Sequence, residues 1–366
     1  MVILKLIVVA LVILVGGYFI FHNGLTFNWH PLNAKQQHAF MPNGFSGVMA
    51  AVSGVFFAYI GFDAVSVLAE ESKNPQKDLP RGMILSLVIC TIVYILLTLV
   101  LTGAVVFSKF ENVGDPLAFI FEKDNLNVGW MQFLVAICAV IAMTSVLLVF
   151  QMGQPRIWMS MSRDGLLPKV FQTIHPKYQT PSFATILTGL VVGIPILFTD
   201  KTFVLDFTSI GTLFAFVLVC GGVLLIPRKE KEAGKFHLPY INGKLYFPIL
   251  LIVSIVLILI KFPSYFPSLV NFDFSANADY VEGKLSFMDV ATPQISLIVF
   301  WMACIILAVY TFIKNFSLIP LLGLASCMYL LTGMTKINWA WFSGWLAIGL
   351  VVYFSYGKHK SNLANT

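Results

Sequence analysis

From Met83 to Phe107 no residue carries a charge, and comparable apolar runs recur along the whole chain. Runs of about eighteen residues or more match the hydrocarbon thickness of a bilayer. Inside lipid, every backbone N–H and C=O must be paired within its own segment, so such runs fold as membrane-spanning helices. The overall make-up agrees: 58% of residues are hydrophobic and 11% charged, where soluble domains carry about 25% charge. The fold class is an all-α polytopic membrane protein set in a lipid bilayer.

The apolar pattern predicts ten spans: Val2–Phe21, Ser46–Leu68, Met83–Phe107, Gly129–Met152, Ser182–Thr199, Phe203–Ile226, Leu245–Ile260, Ile295–Ile313, Phe316–Gly333 and Trp339–Tyr356. Only the seventh reads as short. The first is too long for a signal-peptide core and is followed by no small-residue cleavage site, so it counts as a span. Cations outnumber those on the opposite side by about two to one in the connections after spans two, four, six and eight and in the C-terminal tail. That bias places both termini in the cytoplasm and the protein in the cytoplasmic membrane.

Other chemistry finds little support. Cys90, Cys138, Cys220, Cys304 and Cys327 all lie inside apolar spans, where thiols behave as small hydrophobes. The histidines fall in connections and in the tail, none at metal-ligand spacing, so no metal or other cofactor is expected. No nucleophile elbow, phosphate-binding loop, dinucleotide fingerprint or HExxH occurs, which argues against an enzyme. The net charge of +6 is spread over connections and is a topology signal, with no nucleic-acid partner implied. Nothing in the chain sets an oligomeric state.

The stretch FFAYIGFDAVSVLAEESKNPQKDLPRG, Phe56–Gly82, breaks the pattern. Gly61 weakens a helix by about 1 kcal/mol relative to alanine. Asp63, near mid-span, costs roughly 2.5–3.5 kcal/mol on insertion scales. Two readings stand: a helix that breaks inside the bilayer to line a cavity, or a continuous helix with a bundle-facing Asp63. Farther on, Pro155–Pro181 mixes large apolar residues with four cations, the pattern of an interfacial amphipathic helix. The outer connection Lys261–Pro293 is aromatic and acidic and reads as a lid or packing loop.

These motifs carry a resemblance. Phe56–Gly82 resembles the broken sixth helix and following loop of amino-acid permeases of the amino acid–polyamine–organocation (APC) superfamily, in its cationic amino acid transporter branch and bacterial relatives. GQPRIWMSMSRDGLLPKVF resembles that branch's loop after the eighth helix, IGTLFAFVLVCGGVLLIPR its tenth helix, and NWAWFSGWLAIGLVVYFSYGKHKS its last helix and tail. The resemblance implies a partial leucine-transporter-like fold. Spans two to six would form the complete second five-helix repeat, and span one the family's fifth helix. The family's first four helices have no counterpart in the chain and are expected upstream in the gene. Residues 1–226 would be transporter core, 227–244 a cytoplasmic loop, and 245–366 four peripheral helices with a short cytoplasmic tail.

The resemblance also implies a function and a site. The expected activity is secondary transport of amino acids by alternating access, with the proton as coupling ion. The alternative is a truncated, non-transporting remnant that acts as a binding or assembly partner. Carbonyls of Phe57, Ala58, Tyr59 and Ile60 would receive the substrate ammonium at a helix C-terminus. Gly61 would permit the turn and Phe62 would gate the pocket. Asp63 would contact substrate or cap its own half-helix. Thr144, Ser145 and Leu148 share a helical face that would line the side-chain pocket, or simply pack. Lys5 matches the family's proton-coupling lysine, with snorkelling to water as its alternative role. Glu70, Glu71 and Arg81 would act at the inner gate.

Overall fold

The structure, a computed structural model, describes residues 2–31, 41, 44–62, 72–111, 113–226, 239–272 and 286–361, with the backbone alone for 44–46, 49–50, 53 and 201. Its main helices are α1 (Val2–His22), α2 (Gly44–Phe56), α3 (Pro75–Ala104), α4 (Gly129–Arg163), α5 (Ser182–Ile196), α6 (Lys201–Leu225), α7 (Gly243–Lys261), α8 (Phe287–Lys314), α9 (Leu318–Leu331) and α10 (Lys336–Val352). Among the described residues, seven helices are long and apolar enough to cross a membrane, and α5 and α9 are shorter apolar helices. The protein is an all-α polytopic membrane protein. Its helices carry their apolar side chains outward, as lipid permits: Leu147 is 68% exposed and Leu218 62%.

Two expected boundaries change. The seventh span is of full length, because Asn242 accepts from the Lys244 amide and starts the helix ahead of the apolar run. The fifth is the short one. Pro195, inside its last turn, offers no N–H to the carbonyl four residues back, and the helix ends at Ile196.

The described chain forms two compact units. The first comprises residues 1–49, 61–194 and 357–366, the second 50–60 and 195–356. In the first, α1 buries Val8, Val12, Gly16 and Ile20, one residue per turn on a single stripe. They pack with Val100 and Ala104 of α3 and Met131 and Val135 of α4. The connection between α3 and α4 closes this core from one end. Asp115 accepts from the Ala118 amide to start a short turn at Pro116–Phe119, and Ile120 and Phe121 are fully buried. The turn Leu25–Trp29 docks on the end of α3: Asn28 Nδ2 donates to the Gly103 carbonyl at 2.8 Å and Trp29 Nε1 to that of Leu99 at 2.9 Å.

The expected amphipathic helix at Pro155–Pro181 is not a separate element. α4 runs on through Pro155 to Arg163 and stops in a Schellman turn, with Gly165 N–H on the Ser162 carbonyl and Leu166 N–H on that of Met161. The loop's large apolar residues pack among themselves and on α5. Trp158, Phe171 and Phe183 form consecutive edge-to-face pairs at 5.2 and 5.3 Å.

In the second unit α6 packs along α9, and α7 along α8. Ile210, Leu213, Leu331, Met334 and Phe342 are the centre of its core. The connections before α7 and after α8 lie side by side: Gly243 N–H donates to the Phe316 carbonyl and Leu318 N–H to that of Ile241, both at 2.9 Å. At the other end, polar ties fasten the start of α10. Lys336 Nζ lies 2.8 Å from Asp289 Oδ2 and donates to Ser286 Oγ. Buried Asn338 donates to Asp206 Oδ2 at 3.0 Å. An unmet buried polar group costs about 1–3 kcal/mol. Asn338→Leu is therefore expected to lower stability by about that much, while Asp206→Asn, which keeps an acceptor, costs less. Thermal unfolding of the two variants checks this ordering.

Candidate functional site at the interrupted helix

α2 stops short of bilayer length. After Phe56 the backbone tightens into a 3₁₀ turn at Phe57–Tyr59, and Ile60 then turns extended, at φ −62° and ψ 133°. Gly61 follows at φ +118°, a conformation that side-chain-bearing residues rarely adopt. The continuous-helix reading is thereby excluded. Two things account for the break. The Ile60 amide donates to the Phe57 carbonyl at 3.1 Å, the three-residue closure of a 3₁₀ turn. Glycine then tolerates the reversal in φ.

The residues singled out in the sequence fall in different surroundings. Phe57, Ala58, Tyr59 and Ile60 belong to the second unit, where Phe56 meets Phe216 of α6 edge-on at 6.3 Å. Of the four carbonyls expected to be released, that of Phe57 takes the Ile60 amide. Gly61, Phe62, Thr144, Ser145 and Leu148 belong to the first unit. Thr144 returns its hydroxyl proton to the Val140 carbonyl at 2.9 Å, so its oxygen remains an acceptor. Ser145 is half-buried and Leu148 is exposed. Lys5 is half-buried near the start of α1, and Arg81 is exposed on α3. Asp63, Glu70 and Glu71 lie outside the described residues.

The first unit also holds a cleft of about 810 Å³. Leu148 is part of its lining, and Thr144 and Ser145 are not. It follows one face of α4 from Leu148 to Asp164, against the start of α5 and the segment before it. There Gln151 Nε2 donates to the Thr185 carbonyl at 3.0 Å.

Asp206 and Asn338 escaped the sequence reading. An acid inside the span Phe203–Ile226 is itself a signal, but its partner lies far away in sequence. The described residues hold no cluster of three or more His, Cys, Asp or Glu able to bind a metal.

Comparison with known proteins bears on what this arrangement does. A family model described as amino acid permease matches residues 1–277, and one described as the C-terminus of that family matches residues 317–361. The chain is 40% identical over 232 residues to the branched-chain amino acid permease BcaP of Bacillus subtilis (strain 168), covering 63% of this chain and 47% of that protein. It is 37% identical over 241 residues to the methylthioribose transporter of the same organism, covering 66% and 49%. Against cationic amino acid transporter 3, mitochondrial, of Arabidopsis thaliana it is 29% identical over 401 residues, covering 98% and 64%. The chain thus spans about half to two thirds of the length of these relatives. With more than half of its residues matched to the family model, the chain belongs to the amino acid permease family.

Proposed function

We propose that the chain serves proton-coupled secondary transport of amino acids in the cytoplasmic membrane, with both termini in the cytoplasm. The observation that carries the reading is the interruption of α2 at Ile60–Gly61. A helix that ends within the bilayer presents the negative end of its dipole, and an α-ammonium group is the matching charge. Discontinuous helices with such ends are the recurrent substrate-binding device of transporters. Phe62, next to the turn, is the proposed gate. Lys5, which matches the family's proton-coupling lysine in sequence, is the proposed proton carrier. The relatives' printed substrates, branched-chain and cationic amino acids, define the first compounds to try.

The test is uptake of labelled leucine and arginine into vesicles that hold the protein, with and without an inward proton gradient. Gradient-driven accumulation of one of them is expected, and Lys5→Met should remove the gradient dependence. Accumulation unaffected by the gradient, equal in wild type and Lys5→Met, would discard proton coupling. No uptake of any amino acid would discard the transport reading.

A further inference from the structure

Leaving aside its chain neighbours, the described residues put one atom within 4 Å of a β-carbon built on Gly61, the Phe150 Cζ at 4.0 Å. Gly61 and Phe150 belong to the same compact unit. On this side the turn is therefore open up to the edge of one aromatic ring. At 3.6 residues per turn, Phe150 lies roughly 200° round α4 from Leu148. Leu148, Met152 and Pro155 line the cleft, and Phe150 does not. The face of α4 turned towards Gly61 is thus the opposite of the one that holds Thr144, Ser145 and Leu148. Met143 and Val146, seven and four residues before Phe150, share its stripe. The stripe is apolar and carries no carboxylate.

A substrate held by its ammonium at the interruption brings its side chain close to this ring. One hydrogen bond of about 2.9 Å and two covalent bonds of about 1.5 Å separate the binding carbonyl from the first side-chain carbon. That carbon lies within about 6 Å of the turn, so the residue bordering the turn is the one it meets. The atom presented there, Cζ, is on the ring edge, where an aromatic ring is electropositive. An edge of that kind packs well on a hydrocarbon chain and gives a guanidinium or ammonium group no attraction. We propose that Phe150 is the residue of α4 that determines side-chain selectivity, favouring neutral aliphatic amino acids over cationic ones and limiting their bulk. The place of the substrate rests on the transport reading above; the selectivity rests on Phe150.

The test measures uptake of labelled alanine, leucine, phenylalanine and arginine by the full chain in vesicles, and the thermal stabilisation each gives in detergent. Wild type should prefer leucine to phenylalanine and to arginine. Phe150→Ala should raise phenylalanine relative to leucine by about tenfold or more, the scale of added bulk in an apolar pocket. Phe150→Trp should lower leucine relative to alanine to a similar extent. Phe133→Ala, at an exposed position farther up the same helix, should keep the wild-type ratios. A merely structural loss would depress all four substrates together and leave the ratios unmoved. Should Phe150→Ala fold poorly, Phe150→Leu takes its place, with a smaller shift in the same direction. Unchanged ratios in the Phe150 variants overturn the proposal, and so does a wild type that prefers arginine to leucine. Ratios that move with Leu148→Ala and stay fixed with Phe150→Ala overturn it as well, returning selectivity to the opposite face of α4. A wild type stabilised by leucine that accumulates no amino acid discards the transport reading alone, and the stabilisation ratios then decide on Phe150. Neither stabilisation nor uptake with any of the four discards both.

Discussion

Gly61→Ala is expected to lower folding stability by about 1–3 kcal/mol and to abolish amino-acid uptake, although there is room for the added methyl group. The nearest atom to a β-carbon at this position would be Phe150 Cζ, 4.0 Å away, an ordinary contact. The penalty is therefore conformational. A φ of +118° lies far from the left-handed well near +57° that asparagine and aspartate visit at modest cost. Asparagine at 61 should accordingly fail to rescue, as it would at a common left-handed turn. Thermal unfolding and vesicle uptake on Gly61→Ala and Gly61→Asn check this. A Gly61→Ala protein with wild-type stability and uptake would mean that the interruption of α2 is not needed for transport.

At Gly165 the balance is reversed, which makes it the second position of large expected effect. Its φ of +81° is nearer the left-handed well, but a β-carbon there would collide with the Lys360 carbonyl. Gly165→Asn should thus be disfavoured by crowding, at about 1–3 kcal/mol, and should push the C-terminal segment off its seat. Faster tryptic cleavage after Lys358 and Lys360 than in wild type is the expected sign, along with a lowered thermal midpoint. In a chain shortened to end at Gly357 the collision is gone, and Gly165→Asn should then be nearly harmless. Gly165→Val should remain destabilising there, because a β-branched residue suits positive φ poorly. Equal cost of Gly165→Asn in both chains would show that the tail plays no part.

What could be read from the sequence divides along the range of the interactions involved. Apolar runs are local, so every described main helix lies within or over one of the ten predicted spans. The interruption at Gly61 is only half legible: the residues that cause it are adjacent, but they fit a continuous helix as well, and the backbone decides between the two readings. The predicted fourth span ends at Met152 with the apolar run, yet α4 continues past it to Arg163 with the Pro155 ring buried inside the helix. The local signal for the observed stop is Gly165, two residues beyond Arg163. Asn28 with Gly103 and Asp206 with Asn338 were out of reach, because nothing near each residue in the chain names its partner. The roles of Asp63, Glu70 and Glu71 rest on the family resemblance, for these residues lie outside those described.

The side-chain caps on α3 bear on where the water boundary can lie. Helix-end carbonyls usually hold a terminus at the headgroup level, because they need solvent. Here Asn28 serves the Gly103 carbonyl and Trp29 that of Leu99, and the Val105 and Val106 that follow are apolar. Two carbonyls near this end of α3 thus have protein partners in place of water, which lets the end lie nearer the hydrocarbon than helix termini usually do. The protein should accordingly tolerate a locally thicker bilayer on this flank, through the fit of one loop and with no need for the helix to tilt.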